Sequence, residues 1–156
     1  MKRIALIRIR GSVKVKKEVE DTMKLLKLYN KHTCVIVGSS KTVIGMIKKI
    51  KDHITWGELN EETFKQLLEK RGRLAGKQRL SESYLKEKTK LGINEFVKEF
   101  FEFKKELKDI PGLKTFFKLC SPQGGFERKG IKTPFSMGGV LGYRKEKIND
   151  LIIRML

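Results

Sequence analysis

The stretch KHTCVIVGSSKTVIGMIKKIKDHITW, residues 31–56, changes its hydrophobic period twice, and its reading decides the fold. From His32 to Val37 it is a short β-branched run, the composition of a strand. Gly38, Ser39 and Ser40 then offer a turn and a hydroxyl to cap a helix. Over Lys41–Lys51 the period becomes helical, with Val43, Ile44, Ile47 and Ile50 on the inward side and Lys48, Lys49 and Lys51 outward. His53 to Trp56 returns to strand before Gly57. Toward the N-terminus, Ile4, Ala5, Leu6, Ile7 and Ile9 predict a strand closed by Gly11–Ser12, and Val15, Val19, Met23 and Leu26 predict a helix over Val15–Leu28. The order β-α-β-α-β within residues 1–57 predicts one small sheet with helices packed on one face.

After Gly57 the pattern turns helical. Asn60 is the expected cap of a helix ending near Arg71–Gly72. A basic loop, RGRLAGKQR (residues 71–79), leads to a segment Ser81–Lys90. A longer helix, Ile93–Leu107, then carries Phe96, Val97, Phe100, Phe103 and Leu107 on one side. Pro111–Gly112 ends it. Leu113–Leu119 is a further strand candidate, residues 121–144 form a Gly-rich basic segment, and Lys145–Leu156 forms a last helix burying Ile148, Leu151, Ile152 and Met155. The chain therefore divides into a core (1–57), a helical extension (58–110), and a C-terminal part (111–156) of strand, basic loop and helix that packs on the core.

Charge narrows the function. Lys and Arg number 36 against 18 Asp and Glu, giving net +18 and an isoelectric point near 10.0. The excess is concentrated at the ends: net +10 over residues 1–57, +2 over 58–110 and +6 over 111–156. Self-repulsion of that size opposes compaction unless a polyanion neutralises it, which points to nucleic acid. A surface made basic only for solubility would be mixed in sign and of modest net charge. No apolar run approaches the ~20 residues of a membrane span, and MKRIALIRIRG is too short and too broken by Arg8 and Arg10 for a signal peptide. A cytoplasmic location is expected.

Other chemistries find little support. Gly72 to Gly76–Lys77 imitates a phosphate-binding loop, but the spacing is one residue short and Gln78 stands where a Ser or Thr would hold magnesium. His32 and His53 each open a strand with no second histidine or cysteine at ligand spacing. Cys34 and Cys120 read as two buried, reduced thiols. Glu99, Glu102 and Glu106 interleave with Lys98, Lys104 and Lys105 as solvated ion pairs rather than a general acid and base. The Phe96, Phe100 and Phe103 row reads as helical core. What remains is the glycine-rich loop. There Arg128, Lys129, Lys132 and Arg144 supply charge, glycines allow close approach to a sugar–phosphate chain, and Phe126 and Phe135 offer rings for base stacking.

Residues 31–54 resemble the core of the universal large-subunit ribosomal protein thirty family, called protein seven of the large subunit in eukaryotes. Gly45-Met46-Ile47 followed by Lys48-Lys49-Ile50-Lys51 carries most of the likeness. The opening strand with Gly11–Ser12 and the tail FFKLCSPQGGFERKG…GGVLGYRKEKINDLIIRML resemble the archaeal and eukaryotic members. The resemblance implies an α+β fold: a ferredoxin-like β-α-β-α-β core with an antiparallel three-stranded sheet, a helical insertion and a basic C-terminal extension. It implies a structural constituent of the large ribosomal subunit that binds large-subunit rRNA, near 5S rRNA, beside neighbouring ribosomal proteins. No cofactor, metal, membrane or small-molecule substrate is implied. Met1 lies almost on the first strand, so the long basic arm of eukaryotic members is missing and the archaeal type is expected.

Carried across residue by residue, the RNA face includes Lys31, His32, Ser40, Lys41 and Thr42, with Gln123, Gly124, Gly125, Arg128, Lys129, Lys132 and Arg144 in the tail. Arg8, Arg10, Lys14, Lys48, Lys49, Lys51, Arg71, Arg73, Lys77 and Arg79 complete the expected basic surface. Two other readings stay open: a ribosome-assembly factor or RNA chaperone of the same fold, and an RNA-processing enzyme using His32 or His53.

Overall fold

The computed structural model describes residues 2–156, the side chain of Lys77 excepted. Strand β1 (Arg3–Arg8), helix α1 (Lys17–Leu25), strand β2 (Thr33–Gly38), helix α2 (Lys41–Ile50) and strand β3 (Ile54–Glu58) follow in the expected order. The extension holds α3 (Glu61–Arg71), α4 (Glu82–Thr89) and α5 (Ile93–Phe101). The C-terminal part holds β4 (Phe117–Lys118), β5 (Gly142–Tyr143) and α6 (Ile148–Met155). The sheet has five strands in the order β4-β2-β1-β3-β5. β1 is central and antiparallel to both β2 and β3, with Ile7 opposite Cys34 on one side and Thr55 on the other. The antiparallel three-stranded core of an α+β fold is therefore present, and the C-terminal part adds a strand to each edge. β4 joins β2 antiparallel, and β5 joins β3 in parallel.

All six residues of β1 are buried, because both faces of the sheet are covered. Ile4, Leu6, Val35 and Ile54 pack with Met23, Leu26, Ile47 and Ile50 of the α1–α2 layer. Ala5, Ile7, Cys34 and Ile36 pack on the opposite face with Phe64 and Leu67 of α3, Phe96 and Phe100 of α5, and Leu151, Ile152 and Met155 of α6. The expectation of helices on one face holds for residues 1–57 and is corrected by the rest of the chain. The unbroken apolar run of β1, without polar alternation, is what a strand buried on both faces requires.

Several local expectations shift. α5 stops at Phe101 instead of Leu107, and Phe103 takes φ +62°. The cause lies on β1. The Arg3 guanidinium sits between the Phe100 ring at 3.9 Å and the Phe103 ring at 4.1 Å, and it donates to the carbonyls of Phe100 and Lys105. The predicted strand over 113–119 shortens to Phe117–Lys118. Asn60 makes no side-chain cap to α3; its N–H donates instead to the Asn149 side chain. Ile44, expected inside, is exposed, as is Cys120.

Candidate nucleic-acid interface

The antiparallel register brings one set of predicted residues together. Where β1 ends and β2 and β3 begin, Arg10, Lys31, His32 and the Lys51–His53 turn share one end of the sheet. The Arg10 guanidinium donates to Asp52 O at 3.2 Å. The Lys31 stem lies over Gly11, where a Cβ would fall 3.0 Å from its Cε. Lys14 is exposed on the following turn in a left-handed conformation. Lys48, Lys49 and Lys51 are exposed around the C-terminal end of α2, whose chain returns to this same sheet end. Lys49 reaches Glu18 at 3.4 Å, but both side chains are solvated, so the pair neutralises little. Lys118, which no sequence pattern singles out, joins this end through its pairing with Thr33.

His32 is half-buried, with its ring 6.1 Å from Phe126. Burial, and then the Lys31 charge, hold its pKa below the ordinary histidine value. It is therefore neutral at pH 7 and supplies hydrogen-bonding edges rather than charge. Phe126 and Phe135 are both half-buried. Phe126 packs against the core, and the Arg144 guanidinium covers Phe135 at 4.5 Å.

Ser40, Lys41 and Thr42 lie at the other end of α2. A ten-residue helix is about 15 Å long, so these residues form a second patch instead of extending the first. The Ser40 hydroxyl accepts from Val43 N at 3.3 Å and lies 3.0 Å from Thr42 Oγ1. It caps the helix and is not left free for a ligand. Lys41 is exposed.

Residues 121–144 form a folded loop. Gly125, Gly130 and Gly138 take positive φ. Gly139 packs so closely that a Cβ would lie 2.1 Å from Thr133 O. Arg154 ties the loop to α6 by donating to the carbonyls of Gln123 and Gly125. Gln123, Gly124, Gly125, Arg128, Lys129 and Lys132 are exposed, and the last three make no ion pair among the described residues.

Two predicted contacts are corrected outright. Arg8 is only 2 % exposed and donates to the carbonyls of Arg10, Leu28 and Tyr29 and to Ser12 Oγ. Arg144 is 3 % exposed, forks onto both Glu127 oxygens, and donates to Thr55 Oγ1 and Val140 O. Both guanidinium groups are fully engaged inside the fold, so neither reaches a phosphate. In the 71–79 loop, Arg71 turns inward to Cys120 Sγ and Leu156 O. Arg79 is exposed, Arg73 is half-buried in a bridge to it, and the expectation at Lys77 lies outside the described side chains.

No group of metal-binding side chains occurs among the described residues, and no described helix is long and apolar enough to cross a membrane. Burial pushes the Cys34 thiol up to about 12, which removes it as a nucleophile at neutral pH.

Residues 4–54 match the family described as Ribosomal protein L30p/L7e. Over nearly the whole chain there are closer comparisons, each named large ribosomal subunit protein uL30. The Methanopyrus kandleri protein is 46% identical over 149 residues, covering 95% of this chain and 100% of that one. The Nanoarchaeum equitans protein is 47% identical over 152 residues, covering 97% of each. The Methanococcus vannielii protein is 46% identical over 152 residues, covering 97% of this chain and 98% of that one. With this identity over 95–97% of its length, and with the antiparallel core in the matched segment, the chain belongs to the uL30 family of large ribosomal subunit proteins.

Proposed function

We propose that the chain is a non-enzymatic, structural constituent of the large ribosomal subunit in the cytoplasm, serving translation by clamping large-subunit rRNA near 5S rRNA. The observation that carries the RNA contact is the sheet end where Arg10, Lys14, Lys31, Lys48, Lys49, Lys51 and Lys118 converge, with few carboxylates to neutralise them. Arg128, Lys129 and Lys132 on the folded loop supply a second basic surface. Together these suit recognition of RNA by phosphate position and shape.

The test is the salt dependence of binding to a large-subunit rRNA fragment. Each phosphate contact contributes about 0.7–0.9 to the slope of log affinity against log salt. The triple variant Lys48→Gln, Lys49→Gln, Lys51→Gln is expected to weaken binding and flatten that slope by about 2–3. An unchanged affinity and slope would remove this helix end from the RNA face. Presence at one copy in salt-washed large subunits separates a resident protein from an assembly factor or chaperone, which would be absent.

A further inference from the structure

The distal half of β2 has an open outer edge. On an antiparallel ladder, successive residues point their N–H and C=O groups to alternate neighbours. Leu119 N–H donates to His32 O at 2.9 Å, and Cys34 stands opposite Phe117. Cys34, Ile36 and Gly38 therefore direct their backbone groups toward β4, away from β1. The same count holds on the central strand, where Leu59 N–H donates to Arg3 O at 3.1 Å, so Arg3, Ala5 and Ile7 serve β3 and leave Ile4 and Leu6 for β2. Yet β4 begins only at Phe117, and the chain before it leaves the sheet, with Lys114 N–H donating to Arg73 O at 2.9 Å. The Ile36 N–H and C=O thus emerge on an edge that no strand continues.

A groove of about 380 Å³ runs along this edge. Its floor is Val35–Gly38; Leu25 stands on the α1 side and Phe103 on the α5 side. Leu25 is 76% exposed and Phe103 37% exposed. The Phe103 wall is preset by the Arg3 guanidinium beneath it and by contact with Gly38, where a Cβ would fall 3.2 Å from the ring. At the rim Lys27 donates to Thr115 Oγ1 at 2.6 Å and Lys108 lies 4.0 Å from Glu106.

We propose that this groove receives an extended polypeptide segment of a neighbouring protein, added as a strand to β2 beside Val35–Gly38. The assignment rests on the chain residing in the large subunit. The Ile36 N–H and C=O and the N–H of Gly38, whose own carbonyl accepts from Ser40 N at 2.9 Å, are matched by another peptide backbone, and the strand continues the pairing that β4 begins. Exposed Leu25 and Phe103 favour an apolar side chain between them and offer a phosphate nothing. At ~3.3 Å per residue the open edge takes about four partner residues.

The test places a photoreactive benzophenone side chain at Leu25, and separately at Lys51, in chains assembled into large subunits. Irradiation at position 25 is expected to give an adduct that survives ribonuclease and maps by mass spectrometry to a segment of another ribosomal protein. Position 51 is expected to give an RNA adduct. An RNA adduct at 25, or none there while 51 crosslinks, overturns the groove assignment and leaves the RNA face standing. A protein adduct at 25 with no RNA adduct at 51 overturns only the RNA face. Hydrogen exchange of the unmodified chain supplies the check free of folding artefacts: the Ile36 amide exchanges more slowly in the subunit than in the free protein. Equal rates would overturn the proposal.

Discussion

Arg8→Ala separates a strut from an RNA contact. In the folded chain the guanidinium joins three carbonyls and a hydroxyl across the end of β1, the exit of α1 and the turn after β1. Its bonds to Leu28 O and Tyr29 O are both 2.7 Å. Burial pushes its pKa below the ordinary arginine value, with Glu20 opposing, and no carboxylate pairs with it directly. Truncation strands Leu28 O in the interior, at about 1–3 kcal/mol for a buried acceptor without a donor. It also frees two partly buried carbonyl partners and removes the packed side-chain stem. The total is about 3–6 kcal/mol, a large share of the 5–15 kcal/mol that holds a typical domain together. Thermal and urea denaturation should register it as a melting temperature lower by at least about 6 °C. Arg8→Lys should recover only part of this, since an ammonium cannot reproduce the planar fork. Molecules that remain folded should bind the rRNA fragment with an unchanged salt slope. A variant of native stability that loses RNA affinity would refute the reasoning.

Other consequences can be measured on the free protein. Although burial raises the Glu127 carboxyl, the Arg144 fork, its own backbone N–H and the Arg144 and Arg154 charges outweigh it and hold the group below the usual glutamate value. A depressed folded pKa stabilises the fold above the unfolded value near 4.3 and is lost as pH falls through the folded value. Glu127→Gln should therefore flatten the acid limb of the stability curve below about pH 4, and an unaltered limb would show the fork to be unimportant. Gly57→Ala would place a Cβ 2.1 Å from Lys145 O and 2.9 Å from Ile148 Cβ. Urea denaturation should show a loss of about 1–3 kcal/mol or more, and a neutral result would mean that α6 can shift away. A thiol reagent at neutral pH should label Cys120 in the native protein and Cys34 only after unfolding, because one is exposed and the other buried. Equal labelling of both would contradict the packing of β2.

The core order was legible because the period switches around Ser40 are local, as is the apolar run of β1. Periodicity could not reveal β5. Its two residues, Gly142 and Tyr143, pair with Thr55 and Trp56 across a long sequence separation. Nor can a helix pattern report that Arg3, remote in sequence, takes the Phe100 and Lys105 carbonyls and closes α5 early. The site suffered from the same blindness. Arg8 and Arg144 look like any other basic residue in the sequence, and only the fold shows their donors to be engaged. Lys118 went unnoticed because its nearness to Lys31 and His32 exists only once β4 has paired with β2. The length of α2 holds Lys41 apart from Lys51, a separation that a roster of basic residues does not express.

Both flanking strands of the sheet come from residues 117–143, which are synthesised well after the β1–β3 core. Until those residues emerge, a nascent chain ending at Glu58 presents two raw borders and the naked apolar side of Ala5, Ile7, Cys34 and Ile36. Such a half-finished product invites sticking to other copies. Residues 117–143 thus act as the clasp: products that stop before them should precipitate or be degraded instead of competing for a place in the particle.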